Sequence, residues 1–475
     1  MQQQTTTDTG SSRILLLMLL GCSFTASFGQ NMMSVALPET ADRFAITLSM
    51  ANWLVVGYMV VAATAITLAA FLLSRLGLRR VFFVGIGSFV VGSGVALLAP
   101  DFYTLLGGRL LQAVGTGLFY PTVTGAIMAT TPRARLGTHL ALNSAVIAVG
   151  LAIAPLASGF ALTYFGWHAL FVVPLILSAL LLGAGFFALH DIAESKKATV
   201  DVLSVALSLV GLGSLLYGLS EITHDFVPSA IALLVGLVLI VLFAWRQLVL
   251  PEPLLNVRAL GHPRFTLALV LVMVGMMTSL SLSVLLPLYY EGSEGRTAFL
   301  AGLLLLGPVL VNAALSYAGG KLFDRWGIWP LVFLGFVGVL GGLVAVYFSS
   351  EHLITILVVL GSALSYAGLG LAVSPSKTIA LSQLPPELYA HGAAINSTFV
   401  QIASALGPSL FVGVLSSDVL KATAVGLSKQ EAYARGFSHT LEIAIGITIA
   451  GLILAFFYTW FMRKRKKAGE TRPVD

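Results

Sequence analysis

The sequence predicts an all-α membrane protein with fourteen transmembrane helices, and its composition, its apolar runs and its basic residues carry that prediction. Of its 475 residues 57% are hydrophobic and 10% are charged, whereas soluble globular proteins carry about 25% charged residues. Mean hydropathy is +0.95. This composition excludes a soluble enzyme, a nucleic-acid-binding protein and a disordered scaffold. The one cysteine, Cys22, excludes a disulfide framework and a cysteine-based metal site.

Apolar runs long enough to cross a membrane recur along the whole chain, since each crossing helix needs about 20 apolar residues. The runs are apolar on all faces, as expected for helices in lipid or in a bundle. The run ending at Leu37 is interpreted as a retained helix rather than a cleaved signal. Spans seven and eight could alternatively form one re-entrant feature. The fourteen runs are 14–37, 51–73, 81–99, 103–128, 137–163, 168–189, 200–220, 227–245, 265–290, 297–319, 329–348, 353–375, 390–416 and 439–462.

The basic residues predict the orientation in the membrane. With a cytoplasmic N-terminus, 20 of the 26 Lys and Arg residues fall on the cytoplasmic side, 5 fall outside, and Arg109 lies within a span. This asymmetry follows the positive-inside rule, and it predicts an even number of spans with both termini in the cytoplasm. The basic tail Arg463–Lys467 is expected to contact anionic lipid.

An internal repeat predicts two halves of six helices. The loop Ser74-Arg75-Leu76-Gly77 after span two matches Asp324-Arg325-Trp326-Gly327 after span ten, at an offset of 250 residues. Glycine and proline landmarks of spans four and five recur in spans twelve and thirteen at offsets of 254 and 253. Parallel six-helix repeats describe one class of secondary transporters. The predicted organisation is an N-tail at 1–13, a six-helix bundle at 14–189, a linker with two extra helices at 190–264, a second bundle at 265–462 and a basic tail at 463–475.

These motifs resemble the major facilitator superfamily, in its fourteen-span drug:proton antiporter branch. The loop Ser74–Arg80 resembles the signature loop of that superfamily, and Arg109-Leu110-Leu111-Gln112 resembles the helix-four motif of the branch. The stretch from Gly150 through Pro155 to Gly159 resembles its helix-five antiporter motif. Gln383–Tyr389 is similar to lincomycin-efflux-type multidrug members. The resemblance implies the major facilitator fold in a bacterial cell membrane.

Three positions depart from the patterns of that branch. Ser74 stands where the signature loop normally has Asp, although its second copy keeps Asp324. Ala154 and Ser158 stand where the antiporter motif has glycines. Gln30 stands in the part of helix one where members commonly carry an acid. None of the 20 Asp and Glu residues is expected at mid-bilayer, although carboxylates are the usual membrane proton relay.

Arg109 is the one charge predicted deep within a span, about 10 Å from the outer edge of span four at 1.5 Å per residue. Gln30 is expected at about the same depth, and we expect Gln30 Oε1 to accept a hydrogen bond from the guanidinium. Intramembrane charges are functional by default. The alternative is a structural role for Arg109, with backbone carbonyls and Gln112 as its partners.

The resemblance implies a central cavity and two conformational motifs, and amide and phenol side chains on its helices are candidates for ligand contact. Each of these groups could instead join helices, at typically about 0.6 kcal/mol. The small-residue face of helix five is expected to form a tight contact between the halves. The candidate substrate-binding or coupling residues are Gln30, Asn31, Tyr58, Arg109, Gln112, Asn143, Asn312, Asn396 and Gln401; the candidate conformational residues are Ser74, Arg75, Gly77, Arg79, Arg80, Gly150, Pro155, Gly159, Asp324 and Arg325.

The resemblance therefore implies a secondary exporter of amphipathic drugs or lipophilic metabolites that works by alternating access with proton antiport. One alternative is an exporter of neutral or anionic amphiphiles with weak or unconventional proton coupling, which would use Asp324, His391 or the substrate's own titration. A second is a transporter-like sensor or partner protein. The expected partners are a small-molecule substrate, protons and membrane lipid; no cofactor, metal, nucleic acid or obligate protein partner is expected.

Overall fold

The structure is a computed structural model that describes residues 9–33, 36–46, 48–132, 135–188, 201–222, 226–326, 331–352 and 354–467. Regular structure in these ranges is entirely helical. Three predicted segments therefore lie partly outside the described residues: the N-tail at 1–8, the linker at 190–200 and the basic tail at 468–475. The helices are α1 (Thr9–Asn31), α2 (Leu37–Arg43), α3 (Leu48–Leu97), α4 (Phe102–Thr130), α5 (Leu136–Phe165), α6 (Ala169–Ala188), α7 (Val202–Glu221), α8 (Phe226–Val249), α9 (Pro263–Gly292), α10 (Ala298–Trp326), α11 (Leu331–Glu351), α12 (Thr355–Ser382), α13 (Tyr389–Ala424) and α14 (Lys429–Lys467).

Helix α3 contains two crossing arms, because the chain folds back on itself at Gly77. Gly77 has φ 78° and ψ 167°, a conformation that favours glycine because it has no Cβ. The fold-back is visible in the packing on α4, where Gly117 lies against Ala62 while Gly115 lies against Gly85. Two residues of α4 thus contact positions 23 apart in α3. Counting both arms, fourteen helical segments cross the bundle, as the sequence predicts.

Thirteen of these segments among the described residues are long and apolar enough to cross a membrane. The fourteenth, α4, is less apolar because its core contains Arg109 and Gln112 together with several glycines and threonines. The predicted first span, 14–37, is too long at its C-terminal end. Helix α1 ends at Asn31, and α2 begins separately at Leu37 with Pro38 in its first turn, where a missing N–H is tolerated.

Two six-helix halves make up the main bundle: α1, both arms of α3, α4, α5 and α6 form the N-terminal half, and α9–α14 form the C-terminal half. We call the end at which α1 begins and α14 ends the basic end, and the other the distal end. At the basic end both halves contribute to one buried apolar cluster, the basal cluster. Its members include Ile127, Met128 and Leu140 of the N-terminal half and Ile379, Leu381 and Leu384 of the C-terminal half.

Toward the distal end the halves have separate apolar cores. The N-terminal core contains Phe28, Met32 and Trp167. The C-terminal core contains Tyr289 and Phe411, and Ala152 of α5 packs against its side. The two halves are therefore joined most extensively at the basic end, which is closed in this conformation.

Helices α7 and α8 form the inserted pair, and each is a complete helix rather than part of one re-entrant feature. Helix α7 packs against α3 through a 3.0 Å hydrogen bond between Thr67 and Ser208, and it also contacts α13. At the basic end Arg246 of α8 donates two hydrogen bonds to Asp201, at 2.7 and 2.9 Å. Arg246 holds the pKa of this carboxyl well below its usual range. The ion pair therefore ties the two inserted helices together.

Candidate functional site between the two halves

Arg109 is the one charged residue among the fully buried side chains of the described chain. Its Nη1 donates to the carbonyl oxygen of Gly29 at 2.9 Å and to Gln112 Oε1 at 2.8 Å. Gln112 Nε2 then donates to Ser93 Oγ at 2.8 Å. The guanidinium carbon lies 4.1 Å from the centroid of the Tyr58 ring, within range of a cation–π interaction. The remaining nitrogens, Nε and Nη2, are buried with no hydrogen-bond partner.

This geometry explains how a buried arginine is tolerated where the described residues offer it no carboxylate. Gly29 lies in the last turn of α1, where carbonyl oxygens lack intrahelical partners and the helix dipole is negative. Arg109 therefore stabilises the C-terminus of α1. The expected hydrogen bond from Arg109 to Gln30 is not formed. Gln30 belongs to a different network, whose other members are Gln401 and Tyr120.

Gln30 links the two halves. Its Nε2 donates to Gln401 Oε1 on α13 at 3.3 Å, and its Oε1 accepts a hydrogen bond from Tyr120 Oη on α4 at 2.9 Å. Gln30 is 8% exposed and Gln401 is 5% exposed. Gln401 Nε2 has no partner. The helices α1, α4 and α13 thus converge on a small polar site at the boundary between the halves, with a free donor inside it.

Asn31 holds α1 against α5 within the N-terminal half. Its Nδ2 donates to the carbonyl oxygen of Leu151 at 2.9 Å. In a regular helix that carbonyl would accept from the residue four positions later, which here is Pro155 and has no N–H. Asn31 therefore supplies the hydrogen bond that Pro155 removes. This contact is a helix-joining one rather than a free group lining a cavity.

The other predicted amides divide into paired and unpaired groups. Asn312 Nδ2 donates to the Tyr366 carbonyl oxygen at 2.9 Å and joins α10 to α12. Asn143 on α5 is fully buried, and neither of its side-chain polar atoms has a partner. Asn396 on α13 is 1% exposed, with its Oδ1 unpaired. Buried polar groups without partners are costly, so Asn143, Asn396 and Gln401 are the predicted amides best able to bind a ligand.

Gly150, on the antiporter-motif face of α5, does not form the contact between the halves that the sequence predicts for that face. A Cβ at Gly150 would overlap Ser27 Oγ and would lie 3.1 Å from the Phe24 carbonyl oxygen, both on α1. Gly150 therefore packs inside the N-terminal half, and the expectation that it contacts the other half is wrong. The close approach between halves lies nearer the basic end. There a Cβ at Gly320 of α10 would overlap Ala141 and the Gly137 carbonyl oxygen of α5.

Only part of the signature loop is brought into contact with other elements. Arg75 Nη2 lies 2.6 Å from Glu252 Oε2 in the connection between α8 and α9. Arg79 lies over the Phe83 ring at 5.9 Å. Arg80 and Arg325 are exposed. The side chains of Ser74 and Asp324 lie outside the described residues, so their predicted roles stay predictions, as do those of Pro155 and the half-buried Gly159.

Sequence reasoning missed Tyr120 and Thr116, although α4 carries a signal for both. They lie eleven and seven residues after Arg109, spacings that return to the same face of a helix. Thr116 Oγ1 hydrogen-bonds the hydroxyl of Tyr58 at 2.5 Å. This face of α4 therefore hydrogen-bonds Tyr58 of α3 through Thr116 and Gln30 of α1 through Tyr120. Among the described residues no group of His, Cys, Asp and Glu side chains could hold a metal ion.

Comparison with known proteins decides the family. Residues 19–408 match the profile described as Major Facilitator Superfamily. The chain belongs to the Major Facilitator Superfamily. It is 32% identical over 458 residues to the lincomycin resistance protein LmrB of Bacillus subtilis (strain 168), covering 93% of this chain and 95% of LmrB. It is 25% identical to the multidrug resistance protein Stp of Mycobacterium tuberculosis (strain ATCC 25618 / H37Rv), covering 81% of this chain and 72% of Stp.

The crystal structure of the human organic anion transporter MFSD10 (TETRAN) has the same fold. Its TM-score is 0.65 at 12% sequence identity, and the match covers 93% of this chain and 99% of MFSD10. The predicted fold is thus confirmed. This member of the superfamily is a multi-pass transporter of the cell membrane and not an enzyme, and its relatives include antibiotic and multidrug resistance proteins.

Proposed function

We propose that this protein is a secondary active exporter of amphipathic small molecules that works by alternating access. The likeness to LmrB over 95% of that protein's length is the observation that carries this proposal. Two structural features support it. The halves are closed at the basic end by the basal cluster, and they meet at a polar site around Gln30 and Gln401 that an incoming substrate could bind. The basic end is the cytoplasmic end in this proposal.

The chemistry of the site favours neutral or anionic amphiphiles over permanent cations. A cation in a site of low polarity needs a carboxylate, because an unpaired buried charge is strongly penalised. The polar site around Gln30 and Gln401 offers the free amide donor of Gln401, and the neighbouring network on the Gly29 carbonyl contains Arg109, which has two nitrogens without a hydrogen-bond partner. Arginine stays protonated in proteins. Free donors and a permanent positive charge match substrate carbonyl, hydroxyl and carboxylate oxygens.

Proton antiport is the coupling mode that the family resemblance implies, and in the part of the chain that the structure describes no carboxylate lies in the site to serve it. If transport is coupled to protons, the coupling uses a group outside the site, such as Asp324 or His391, or the titration of the substrate itself. A substrate that carries its own proton would respond to a pH gradient without any titratable group in the protein.

Counterflow in proteoliposomes tests the proposed function. Purified protein is reconstituted and loaded with an unlabelled neutral, anionic or permanently cationic amphiphile, and uptake of the labelled compound is followed with and without an imposed pH gradient. We expect counterflow of a neutral or anionic compound. Absence of counterflow for every class would contradict a transport function for these compounds, whereas counterflow of permanent cations alone would contradict the substrate preference.

A further inference from the structure

The connection between α8 and α9, residues 250–262, is folded rather than extended across the basic end. It contains a short 3-10 helix, Val257–Gly261, which is capped by Asn256 Oδ1 accepting from the Arg258 N–H at 3.2 Å. Leu255 and Ala259 are 5% and 0% exposed and belong to the basal cluster that both halves share. The connection therefore forms part of the apolar closure of the basic end.

This connection contacts the C-terminal half through its backbone. The Asn256 N–H donates to His391 Nδ1, near the start of α13, at 3.1 Å. The Leu255 N–H donates to Gln247 Oε1 of α8 at 3.2 Å. His391 accepts this hydrogen bond at Nδ1 only when that nitrogen carries no proton. The middle of the connection is thereby fixed beneath α13.

The same connection reaches the N-terminal half through Glu252. Glu252 Oε2 lies 2.6 Å from Arg75 Nη2, beside the fold-back of α3. The Arg75 side chain is 18% exposed and its guanidinium lies over the Phe71 ring at 5.9 Å, while the Glu252 side chain is 59% exposed. If the halves separate at this end, Arg75 moves with α3 and the ion pair breaks.

We propose that residues 250–262 form a strap that holds the basic end closed, with Glu252 and Asn256 as its positioning residues. The proposal rests on the alternating-access function above. The His391 bond and the packing of the 3-10 helix on α9 and α13 fix the strap to the C-terminal half, and the Arg75–Glu252 pair is its releasable contact with the N-terminal half. An exposed ion pair is weak, which suits a contact that must break in every cycle.

Thiol labelling at a buried position measures opening of the basic end directly. Leu140 on α5 is fully buried in the basal cluster, so Leu140→Cys in a Cys22→Ser background reacts with N-ethylmaleimide only when that end opens. In purified protein, Arg75→Glu and Glu252→Arg should each raise the labelling rate about two- to five-fold, the scale of an exposed ion pair. The Arg75→Glu/Glu252→Arg double variant should return the rate to that of the parent. Lys321→Glu changes a basic-end charge outside the strap and is the matched control.

A second pair of variants tests the C-terminal attachment. His391→Ala removes the acceptor for Asn256 and should raise labelling, whereas His391→Asn keeps an acceptor near the Nδ1 position and should not. The strap proposal would be overturned if Arg75→Glu and His391→Ala left the labelling rate unchanged. It would also be overturned if the Arg75→Glu/Glu252→Arg double variant were labelled as fast as the single variants. Labelling needs no substrate. A protein that labels as expected but moves no compound in counterflow therefore contradicts the proposed function and leaves the strap standing.

Discussion

Gln30 and Gln401 hydrogen-bond across the boundary between the two halves, with 3.3 Å between Nε2 and Oε1. Both side chains are almost fully buried, and Tyr120 fixes the Gln30 amide from the other side at 2.9 Å. One polar pair thus connects α1 to α13 at the level of the proposed binding site. An amide pair keeps this connection uncharged at every working pH.

Gln30→Glu should shift substrate preference toward cations. The new carboxylate would accept hydrogen bonds from Tyr120 Oη and from Gln401 Nε2, whose donor is now unpaired. A carboxylate about 4 Å from a bound cation gains several kcal/mol at intermediate polarity, and after desolvation we expect about a tenfold gain in selectivity, or about 1.4 kcal/mol. Uptake of a permanent cation and of an anionic amphiphile by everted vesicles measures the shift.

Gln30→Leu is the control for that change, because it removes the link between halves without adding charge. It should weaken transport of all substrate classes and leave the ratio between them unaltered. Strong pH-driven uptake of the permanent cation by the unaltered protein, with the same ratio in Gln30→Glu, would show that charge selection lies elsewhere in the chain.

Asn31→Leu should destabilise the protein by about 0.6 kcal/mol, the typical scale of hydrogen bonds between helices in membranes. The reason is that the Leu151 carbonyl would lose the donor that replaces the missing N–H of Pro155. Thermal unfolding of the purified protein measures the loss.

The Pro155→Ala background provides a sharp control for Asn31. Alanine restores a backbone N–H within reach of the Leu151 carbonyl, so Asn31→Leu should cost clearly less there than in the parent. Equal costs in the two backgrounds would show that the Asn31 hydrogen bond does not compensate for the proline.

Gly320→Leu should abolish transport while folded protein still reaches the membrane. The added side chain would overlap Ala141 where α10 meets α5 between the halves, and overpacking costs about 1–3 kcal/mol. The substitution therefore destabilises the conformation in which the basic end is closed. Gly150→Leu should instead lower the melting temperature, because Gly150 contacts α1 inside one half.

Gly307→Leu is the matched control on α10, since nothing lies within 4 Å of a Cβ at that position. It should transport and melt like the parent in the same vesicle assay. Normal transport by Gly320→Leu would remove the α5–α10 contact from the transport cycle.

Impermeant thiol labelling should place the distal end outside the cell. In a Cys22→Ser background, cysteines at Arg296 and Val425, both exposed at distal connections, should react in intact cells. A cysteine at Lys321, at the basic end, should react only after permeabilisation. Labelling of position 321 in intact cells, with protection of 296 and 425, would reverse the orientation.

The sequence by itself determined the number of crossings, the division into two halves with an inserted pair, and the family. These properties follow from the length of the apolar runs, which must match the thickness of the bilayer, and from the repeated glycine and proline positions. Both are visible in the sequence without knowledge of how the helices pack. The sequence also identified Arg109, Gln30 and Gln401 as unusual, because polar groups are rare and costly within apolar spans.

Only the tertiary structure decided which of these groups meet. Arg109 contacts the Gly29 carbonyl and Gln30 contacts Gln401, although a count of residues along each helix places Arg109 and Gln30 at one depth. Gly150 faces α1, and Gly320 lies in a close contact between the halves. Helices that are apolar on every face carry no sequence signal for their rotation or their neighbours. Those depend on close packing of small residues between whole helices, which composition and periodicity do not encode.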